Sequence, residues 1–379
     1  MIIELIDNFK DFLLLEDVWN NILSKSKSEQ VFSTFEWFSS WWLAFGQNLS
    51  LCVLLVKEKD SIIGIAPLML QKAAMCGLRF KKLSFIYNDN ASHADFLLMA
   101  GREREGVSAI VDYLKSGRIA YDVLEFQNMP KESPNYELLL EKLSHDKAFF
   151  VLKEGLRSPY IPIAIDWQAY LLSLSKKFRK TLHNIQNRAK SEKFRIEKVE
   201  DSIKNKGILN SIVGISEKSW KAKCNGEISH SRENVSFFQA LSKIATEKGW
   251  LGIWLLTLRD KPIAYEYLLK YKEKIYALRA DYDDAYKLVS PGLILNVEGI
   301  RSSFEEKIKE YDFCGHDEEY KKKWTSSIRG HYHIIMYNGF YARIIYLLDY
   351  VIYYNTKEFL KKFESAVKFK KTLRRINLK

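Results

Sequence analysis

Two parts of the chain repeat the same order of apolar and polar segments. In the first part, two apolar runs within residues 51–70 flank a charged turn, which predicts two strands and a tight connection. Helical spacing of apolar residues follows around residues 107–114, and a further strand is predicted at residues 121–126. Aromatic residues at helical spacing predict a helix over residues 35–45, and residues 93–99 indicate another short strand.

The second part follows the same order. Residues 250–282 predict three strands joined by two charged turns, and residues 290–309 carry apolar residues three and four positions apart, as an amphipathic helix does. Ser290 is the expected N-cap of this helix and Pro291 its first residue, and a strand at residues 311–315 follows. Because the order matches that of the first part, we predict an internal duplication.

A basic segment lies between the two parts. Its apolar residues from Phe178 to Ala189 fall on one helical stripe of residues 176–193, which predicts an amphipathic helix with a cationic outer face. The next predicted helix covers residues 235–248 and ends at Gly249, because glycine is favoured just beyond a helix C-terminus.

Composition narrows the class of protein. The 379 residues are 47% hydrophobic and 14% aromatic, which favours a globular chain of about two domains over a disordered one. The net charge of +12 comes from two segments. Residues 176–193 hold seven basic and one acidic residue, and residues 356–379 hold nine and two, so the remainder is near neutral. This favours anionic ligands or a membrane surface over nucleic-acid coating of the whole molecule.

The cysteines and the N-terminus predict where the protein works. None of the four cysteines forms a CxxC pair, so we expect a reducing, cytoplasmic compartment. Glu4 and Asp7 interrupt the region in which a signal peptide would need a basic and then an apolar run. The apolar stretch at residues 334–354 contains Arg343 and Asp349, so we do not expect it to span a membrane.

A string near the end of the second part resembles a known family. YDFCGHDEEYKKKW, at residues 311–324, resembles the ending of acetyltransferases of the CelD type, which are associated with bacterial cellulose and exopolysaccharide synthesis. These enzymes belong to the GNAT superfamily and are related to FemAB-type aminoacyltransferases. Five other segments resemble the family in order and spacing: FEWFSSWWLAFG, GIAPLML, KKFRKTLHNIQNRAK, KPIAYEYL and RADYDDAYKLVSPGLIL.

The resemblance implies an α/β fold with mixed sheets, built as two tandem GNAT-like units. The first unit is expected at residues 1–160, and the second, with the acyl-donor site, at residues 161–335. Residues 336–379 are then an extension that is first apolar and aromatic and afterwards basic.

The resemblance also implies that the second unit binds acetyl-CoA or another acyl-CoA, without a metal. Ser290, Gly292 and Leu293 are the expected pyrophosphate cradle, because the amides and dipole of a helix N-terminus favour an anion. Lys321 is a further candidate for contact with the cofactor. The usual GNAT phosphate loop has two spaced glycines, whereas only Gly292 is present here, which leaves room for another acyl donor. Ser290 and Pro291 could also simply start a structural helix.

Four residues are candidates for the proton transfers that acyl transfer requires. By the resemblance, Tyr320 is the general acid that protonates the leaving thiolate. Asp281 and Asp312 are candidate bases, and His316, directly after a predicted strand, is the best histidine candidate. The structural alternatives are that Tyr320 and Trp324 pack as one helical face and that the two aspartates anchor loops.

Four further residues are candidates for contact with substrate: His93, Asp95, Arg179 and Trp324. His93 and Asp95 belong to a segment of the first unit that often carries an acidic residue in the family, and Arg179 lies in the basic segment. His331 and His333 form an HxH pair without a third ligand nearby, so no metal site is expected.

These observations predict an acyltransferase that acts on an amine or hydroxyl of a sugar, polysaccharide or cell-envelope precursor. The acceptor is a small molecule or a lipid-linked sugar, and the basic tail could rest on the anionic inner face of the membrane. A FemAB-like aminoacyltransferase that uses aminoacyl-tRNA is the first alternative, because lysines and arginines contact RNA phosphates. A non-catalytic GNAT-like module in a polysaccharide synthesis complex is the second.

Overall fold

The computed structural model describes residues 1–192 and 194–352. The basic tail predicted at residues 356–379 lies outside the described residues. The strands of the first half are β1 (Ile2–Ile6), β2 (Ser50–Glu58), β3 (Ser61–Met75), β4 (Leu78–Phe85), β5 (Leu97–Leu98), β6 (Val123–Pro130) and β7 (Phe150–Pro162). Its helices are α1 (Phe9–Leu13), α2 (Glu16–Ser24), α3 (Phe35–Phe45), α4 (Glu103–Lys115) and α5 (Pro134–His145).

The second half repeats this alternation of helices and strands. Its helices are α6 (Trp167–Ser173), α7 (Lys176–Ser191), α8 (Ile208–Glu217), α9 (Arg232–Glu247) and α10 (Pro291–Glu305). Its strands are β8 (Arg195–Val199), β9 (Leu251–Leu258), β10 (Lys261–Tyr271), β11 (Lys274–Tyr282), β12 (Glu310–Asp312) and β13 (Ile328–Tyr337). Residues 339–352 are helical. Within the described ranges, no helix has both the length and the apolar character needed to cross a membrane.

The described strands form one mixed sheet. Its order is β1-β2-β3-β4-β6-β13-β7-β12-β11-β10-β9-β8, and β5 pairs with β3. In each half, four antiparallel strands lead to a parallel pair, β4 with β6 and β11 with β12, and a helix connects each pair. The mixed α/β class and the repeated order of elements are therefore confirmed.

Strands β7 and β13 join the two halves. Strand β13, near the end of the described chain, lies between β6 and β7 and completes the sheet of the first half. Strand β7 pairs with β13 over most of its length and with β12 at residues 160–162. The limits expected at residues 160 and 335 therefore fall inside shared strands, and the division of the chain into separate units stays a prediction.

The aromatic helix α3 lies between the halves. Its Trp37 packs edge to face against Phe237 of α9, with ring centroids 5.3 Å apart. Phe32, just before α3, contacts Tyr276 of β11 in the same way at 5.4 Å. The rings belong to one buried cluster that draws residues from both halves, so the aromatic face predicted for residues 35–45 is an internal packing surface.

Three local predictions differ from the structure. Only Leu97 and Leu98 of the segment 93–99 form a strand. Before them, the side chain of Asp95 is part of a buried hydrogen-bond network. Ser290 precedes α10 in the left-handed region, at φ 55°, and its side chain makes no capping hydrogen bond. Tyr320 lies in no helix and comes directly before a single 3₁₀ turn at Lys321–Lys323.

Candidate active site

A gap opens in the sheet between β11 and β12. The two strands pair only where Lys274–Tyr276 meets Glu310–Asp312, and β11 then continues to Tyr282 without β12 beside it. Two adjoining cavities of about 440 and 170 Å³ lie along this open part of β11. They share a wall formed by Lys221, Ala280, Glu318 and Tyr320.

The larger cavity receives the N-terminus of α10. Ser290, Gly292 and Leu293 all line it, so the three residues predicted to cradle a pyrophosphate lie together. The exposed side chains of Lys287 and Lys323 also line it and add positive charge. A helix N-terminus beside two ammonium groups suits an anionic ligand.

Backbone geometry sets the start of α10. The carbonyl of Ser290 accepts hydrogen bonds from the amides of Leu293 at 3.0 Å and Ile294 at 3.2 Å. A Cβ at Gly292 would lie 3.7 Å from the Tyr282 ring, an ordinary contact, so the glycine here is not required by crowding. The absence of its side chain instead leaves the backbone accessible from the cavity.

Asp281 is at the cavity but is fully engaged with neighbouring groups. Its Oδ2 accepts hydrogen bonds from Tyr265 at 2.6 Å, Ser216 at 3.0 Å and Arg279 at 2.8 Å. The Lys221 ammonium lies 2.7 Å from Oδ1. Burial acts to raise the pKa of Asp281, but Lys221 and Arg279 outweigh it and hold that pKa below its usual range. This geometry makes Asp281 an anchor for Lys221 and Arg279, in contrast to the predicted base.

Tyr320 stands at the shared wall of both cavities. Its side chain is 43% exposed, so it is accessible from the cavity space. The surrounding protein, then the nearby carboxylates of Glu318 and Glu266, raise the pKa of Tyr320 above its ordinary value. The phenol therefore keeps its proton at neutral pH, as the general acid expected here must.

Lys321 binds the protein itself. The ammonium group is buried and donates to the carbonyls of Cys314 at 2.7 Å and His316 at 3.0 Å, and it pairs with Glu318 at 2.6 Å. It therefore closes the loop after β12, and its contact with the cofactor stays a prediction. The side chain of His316 is exposed and lines the smaller cavity, so it remains a residue of the site.

Asp312 lies below the site and is completely buried. Its Oδ2 accepts a hydrogen bond from Arg329 of β13 at 2.6 Å, and its Oδ1 accepts one from the Cys314 amide at 2.8 Å. Because both carboxylate oxygens are used and the residue lines neither cavity, the geometry gives Asp312 a structural function instead of the predicted catalytic one.

Trp324 and Arg179 also support the structure at positions where we expected substrate contacts. Trp324 is 1% exposed and packs edge to face on Phe178 at 5.0 Å, while its carbonyl accepts from Tyr170. Arg179 donates to the Leu172 carbonyl at 2.7 Å. Trp324 thus packs as the structural alternative expected, although Tyr320 does not share its face.

His93 and Asp95 meet in a separate cleft of about 110 Å³ between the halves. The Nδ1 atom of His93 lies 3.0 Å from Nε2 of His331, and the two rings are stacked. Asp95 accepts hydrogen bonds from Ser28 and Ser133, both at 2.6 Å. The two predicted residues therefore come together, but away from the donor cavity and already bonded within the protein.

The HxH pair does not act as a unit. His331 contacts His93, whereas Nδ1 of His333 lies 3.3 Å from Glu125. Over residues 1–192 and 194–352, no cluster of three or more His, Cys, Asp or Glu side chains could hold a metal.

Sequence reasoning missed two residues of the site, Lys221 and Glu266. Lys221 lines the larger cavity from the 3₁₀ turn Trp220–Cys224, and the apolar periodicity of the sequence does not predict this turn. Glu266 offered a signal, because it is the one acidic residue in the apolar strand sequence KPIAYEYL. Burial of a carboxyl group in a strand is costly unless other groups bond to it, so such a residue is a candidate for a specific role.

A domain model and several solved structures resemble this chain. Residues 176–322 match the family model described as an acetyltransferase (GNAT) domain. No curated protein matches the sequence. The crystal structure of FemX is 12% identical, with a TM-score of 0.59, and the match covers 88% of this chain and 97% of that one.

Two further structures have the same fold. L-PGS from Bacillus licheniformis is 12% identical with a TM-score of 0.54, over 88% of this chain and 95% of that one. A conserved protein of unknown function from Bacteroides thetaiotaomicron is 13% identical with a TM-score of 0.56, over 88% of this chain and all of that one. At these identities the likeness concerns the fold.

The class of protein follows from the fold, the cavity and the domain match together. The match to the GNAT acetyltransferase domain model covers residues 176–322, which include β11, β12, α10 and Tyr320. The domain match supports a transferase enzyme of the acyltransferase class.

Proposed function

We propose that the protein transfers an acyl group from an acyl-CoA, acetyl-CoA first among them, to an amine or hydroxyl of a sugar, polysaccharide or cell-envelope precursor. The observation that carries the proposal is the 440 Å³ cavity, which joins the N-terminus of α10 to Tyr320. A pyrophosphate at Gly292 would leave the acyl end of the donor free to reach the gap beside β11. Tyr320 would then protonate the departing thiolate.

Calorimetry with acetyl-CoA tests the donor site, and neighbouring lysines supply a matched pair of variants. Lys323→Ala removes an ammonium that lines the cavity, so we expect about twofold to fivefold weaker binding than in the wild type. Lys322→Ala removes an adjacent ammonium that pairs with Asp317 and Glu319 instead, so its affinity should be unchanged. Absence of binding at millimolar acetyl-CoA would contradict the proposal.

Aminoacyl-tRNA is the second candidate donor. Helix α7 carries six lysines and arginines and no acidic residue, and most of these side chains are exposed. The helix borders the cavity, because Phe178 lines it and Arg188 donates to the Leu288 carbonyl at 2.9 Å. Filter binding of tRNA over a series of salt concentrations tests this donor. Binding that weakens steeply with salt supports it, and no salt-dependent binding removes it.

We also propose a cytoplasmic protein that rests on the inner face of the membrane, near lipid-linked acceptors. The support is the composition of residues 356–379, which contain nine basic and two acidic residues. Co-sedimentation with anionic vesicles tests this: removal of residues 356–379 should abolish binding. Equal binding of the full chain and the shortened chain would refute it.

A further inference from the structure

Strand β10 carries one carboxyl group into the interior of the second half. In the sheet, Glu266 pairs with Trp254 of β9 on one side and Ala280 of β11 on the other. The residue is 1% exposed to solvent. Its side chain lines the smaller cavity, the same 170 Å³ space that Tyr320 borders. The proposed donor site at the N-terminus of α10 and the proton transfer from Tyr320 do not involve this carboxyl.

The two oxygens of Glu266 differ in their surroundings. Oε1 accepts hydrogen bonds from the Asn296 amide at 2.8 Å and from the Tyr311 hydroxyl at 2.7 Å. Oε2 is equally buried, yet within the described residues no donor bonds to it. A buried carboxyl oxygen without a donor is costly, so its retention here calls for an explanation. One oxygen is held by two donors, and the other, beside Gly299, has no donor within the described residues.

Helix α10 makes room for this arrangement. A Cβ atom at Gly299 would lie 3.1 Å from Oε2 of Glu266, tighter than an ordinary contact. Asn296, which binds Oε1, is one turn earlier on the same helix and also lines the larger cavity. Since the N-terminus of α10 forms the expected donor cradle, one helix sets the position of both the donor and the carboxyl.

We propose that Glu266 is the general base of the acyl transfer and that the smaller cavity receives the nucleophilic group of the acceptor. This inference rests on the proposed function. The acceptor amine or hydroxyl attacks the thioester carbonyl carbon, and a new C–N or C–O bond forms as the C–S bond breaks. The acceptor proton passes to the carboxylate of Glu266. The departing thiolate takes the proton of the Tyr320 hydroxyl, so charge and atoms balance.

The electrostatics of the cavity agree with this assignment. Burial raises the pKa of Glu266 to about 7, although the hydrogen bonds from Tyr311 and Asn296 act to lower it. A base with a pKa near the working pH is the most effective at taking a proton, and the raised pKa of Tyr320 leaves that group as the acid.

Several other ionisable groups face the same cavity. Those that line it are Lys221, Arg279, Cys314, His316 and the Lys321–Glu318 ion pair, and Tyr311 bonds directly to Glu266. Burial raises the pKa of Tyr311 and of Cys314, so both keep their protons at neutral pH. Lys221 and Arg279 are held by Asp281. His316 is exposed and lines the same cavity, which makes it the competitor that the experiment must separate.

The experiment compares Glu266→Gln with Glu298→Gln and His316→Gln. Glutamine keeps the size of the side chain and an oxygen for Asn296 and Tyr311, so the fold should survive. Glu298→Gln is the matched control, because it neutralises a half-buried carboxyl on α10 that pairs with Arg301 outside both cavities. Release of CoA from acetyl-CoA, with glucosamine as probe acceptor, is followed between pH 5 and 9, and infrared spectra follow carboxyl protonation of each protein over the same range.

Glu266→Gln should lower kcat/KM by about 100-fold and remove the acidic limb of its pH profile, while acetyl-CoA affinity stays unchanged. A carboxyl band that titrates near neutral pH should vanish from the infrared spectrum of this variant alone. Glu298→Gln should retain the wild-type limb and the band.

Three outcomes would overturn the inference. The first is an unchanged infrared titration in Glu266→Gln, and the second is a normal acidic limb in that variant. The third is loss of the limb in His316→Gln alone, which would make His316 the base. Failure of the wild type to bind acetyl-CoA would instead overturn the proposed donor, so the two failures are distinguishable.

Discussion

At the scale of single residues, the donor cavity illustrates how surroundings assign different tasks to similar groups. Asp281, Asp312 and Glu266 are all buried carboxyls of the second half. Asp281 pairs with Lys221 and Arg279, and Asp312 pairs with Arg329, whereas no cation in the described residues pairs with Glu266. The type of side chain alone is therefore a weak guide to its role, because the groups that contact a buried carboxyl determine what it can do.

The hydroxyl of Tyr320 has a direct test. We expect Tyr320→Phe to lower kcat about 100-fold, because the thiolate then leaves without an acid, while acetyl-CoA binding is unchanged. Tyr282→Phe is the matched control, since this phenol lines the same larger cavity and has no assigned proton transfer. Steady-state release of CoA checks both variants. Equal loss in the two would indicate a general disturbance of the cavity.

The buried pair His93–His331 makes stability depend on pH. Burial lowers the pKa of His331 to about 4, so the folded protein favours its neutral form. Stability from this residue is complete above the unfolded pKa of about 6.5 and falls as the pH drops from there towards 4. The free energy of unfolding should decrease by about 3 kcal/mol over this range through His331.

Denaturant unfolding at a series of pH values checks this dependence. His331→Gln should make the free energy of unfolding less sensitive to pH between about 6.5 and 4. His145→Gln, which changes an exposed histidine of α5, should keep the wild-type slope. A slope that is the same in both variants would assign the pH dependence to other groups.

At the scale of elements, the general preferences at helix ends explain where α9 stops and β9 begins. Helix α9 ends at Glu247 with Lys248 as its C-cap, and Gly249 follows with φ 69°, as its position predicts. The Trp250 amide then bonds to the Ala245 carbonyl at 2.7 Å, which satisfies the helix end and starts β9 immediately afterwards. Local backbone chemistry thus places the strand that borders β10 and Glu266.

Two glycine substitutions separate backbone strain from side-chain space. Gly249→Ala should lower the free energy of unfolding by about 1 kcal/mol, because alanine resists a positive φ. Gly214→Ala, inside α8 where nothing lies within 4 Å of the new Cβ, should raise it by about 0.5–1 kcal/mol. Thermal or urea unfolding measures both. Destabilisation of similar size at both positions would contradict this argument.

At the scale of the whole molecule, the pairing of β13 with β6 and β7, and of β7 with β12, joins the two halves into one sheet. Strand β13 fills the space between β6 and β7, and its Arg329 binds Asp312 of β12 and contacts Glu132 near the start of α5. The cleft with His93 and Asp95 lies at the same junction. The donor cavity is therefore built in one half and supported by contacts with the other.

Truncation tests this dependence. A chain that ends at residue 327 lacks β13 and exposes the edges of β6 and β7, so we expect it to lose cooperative unfolding and to aggregate. A chain that ends at residue 352 keeps every strand described and should unfold in one cooperative transition. Circular dichroism during thermal unfolding distinguishes the two, and cooperative folding of the shorter chain would show that the halves are independent.

The sequence by itself determined the elements and their order. Apolar periodicity and glycine positions predicted helices α3, α7, α9 and α10 and the hairpins β2–β3 and β9–β11, because these depend on neighbours along the chain. Ser290, Gly292, Leu293 and Tyr320 were predicted as site residues from the sequence, and they line one cavity, although their roles stay predictions. They lie at the junctions between elements, where the resemblance to known acyltransferases applied.

Only the tertiary structure decided what those residues contact. The ion pair of Asp312 with Arg329, the packing of Trp324 on Phe178 and the place of β13 join separate segments of the sequence, and no local pattern encodes such pairs. Glu266 shows the same limit, because its free oxygen results from β9, β11, β12 and α10 meeting around it. Periodicity reports which face of an element is buried, whereas burial acquires chemical meaning only when the partners across the fold are known.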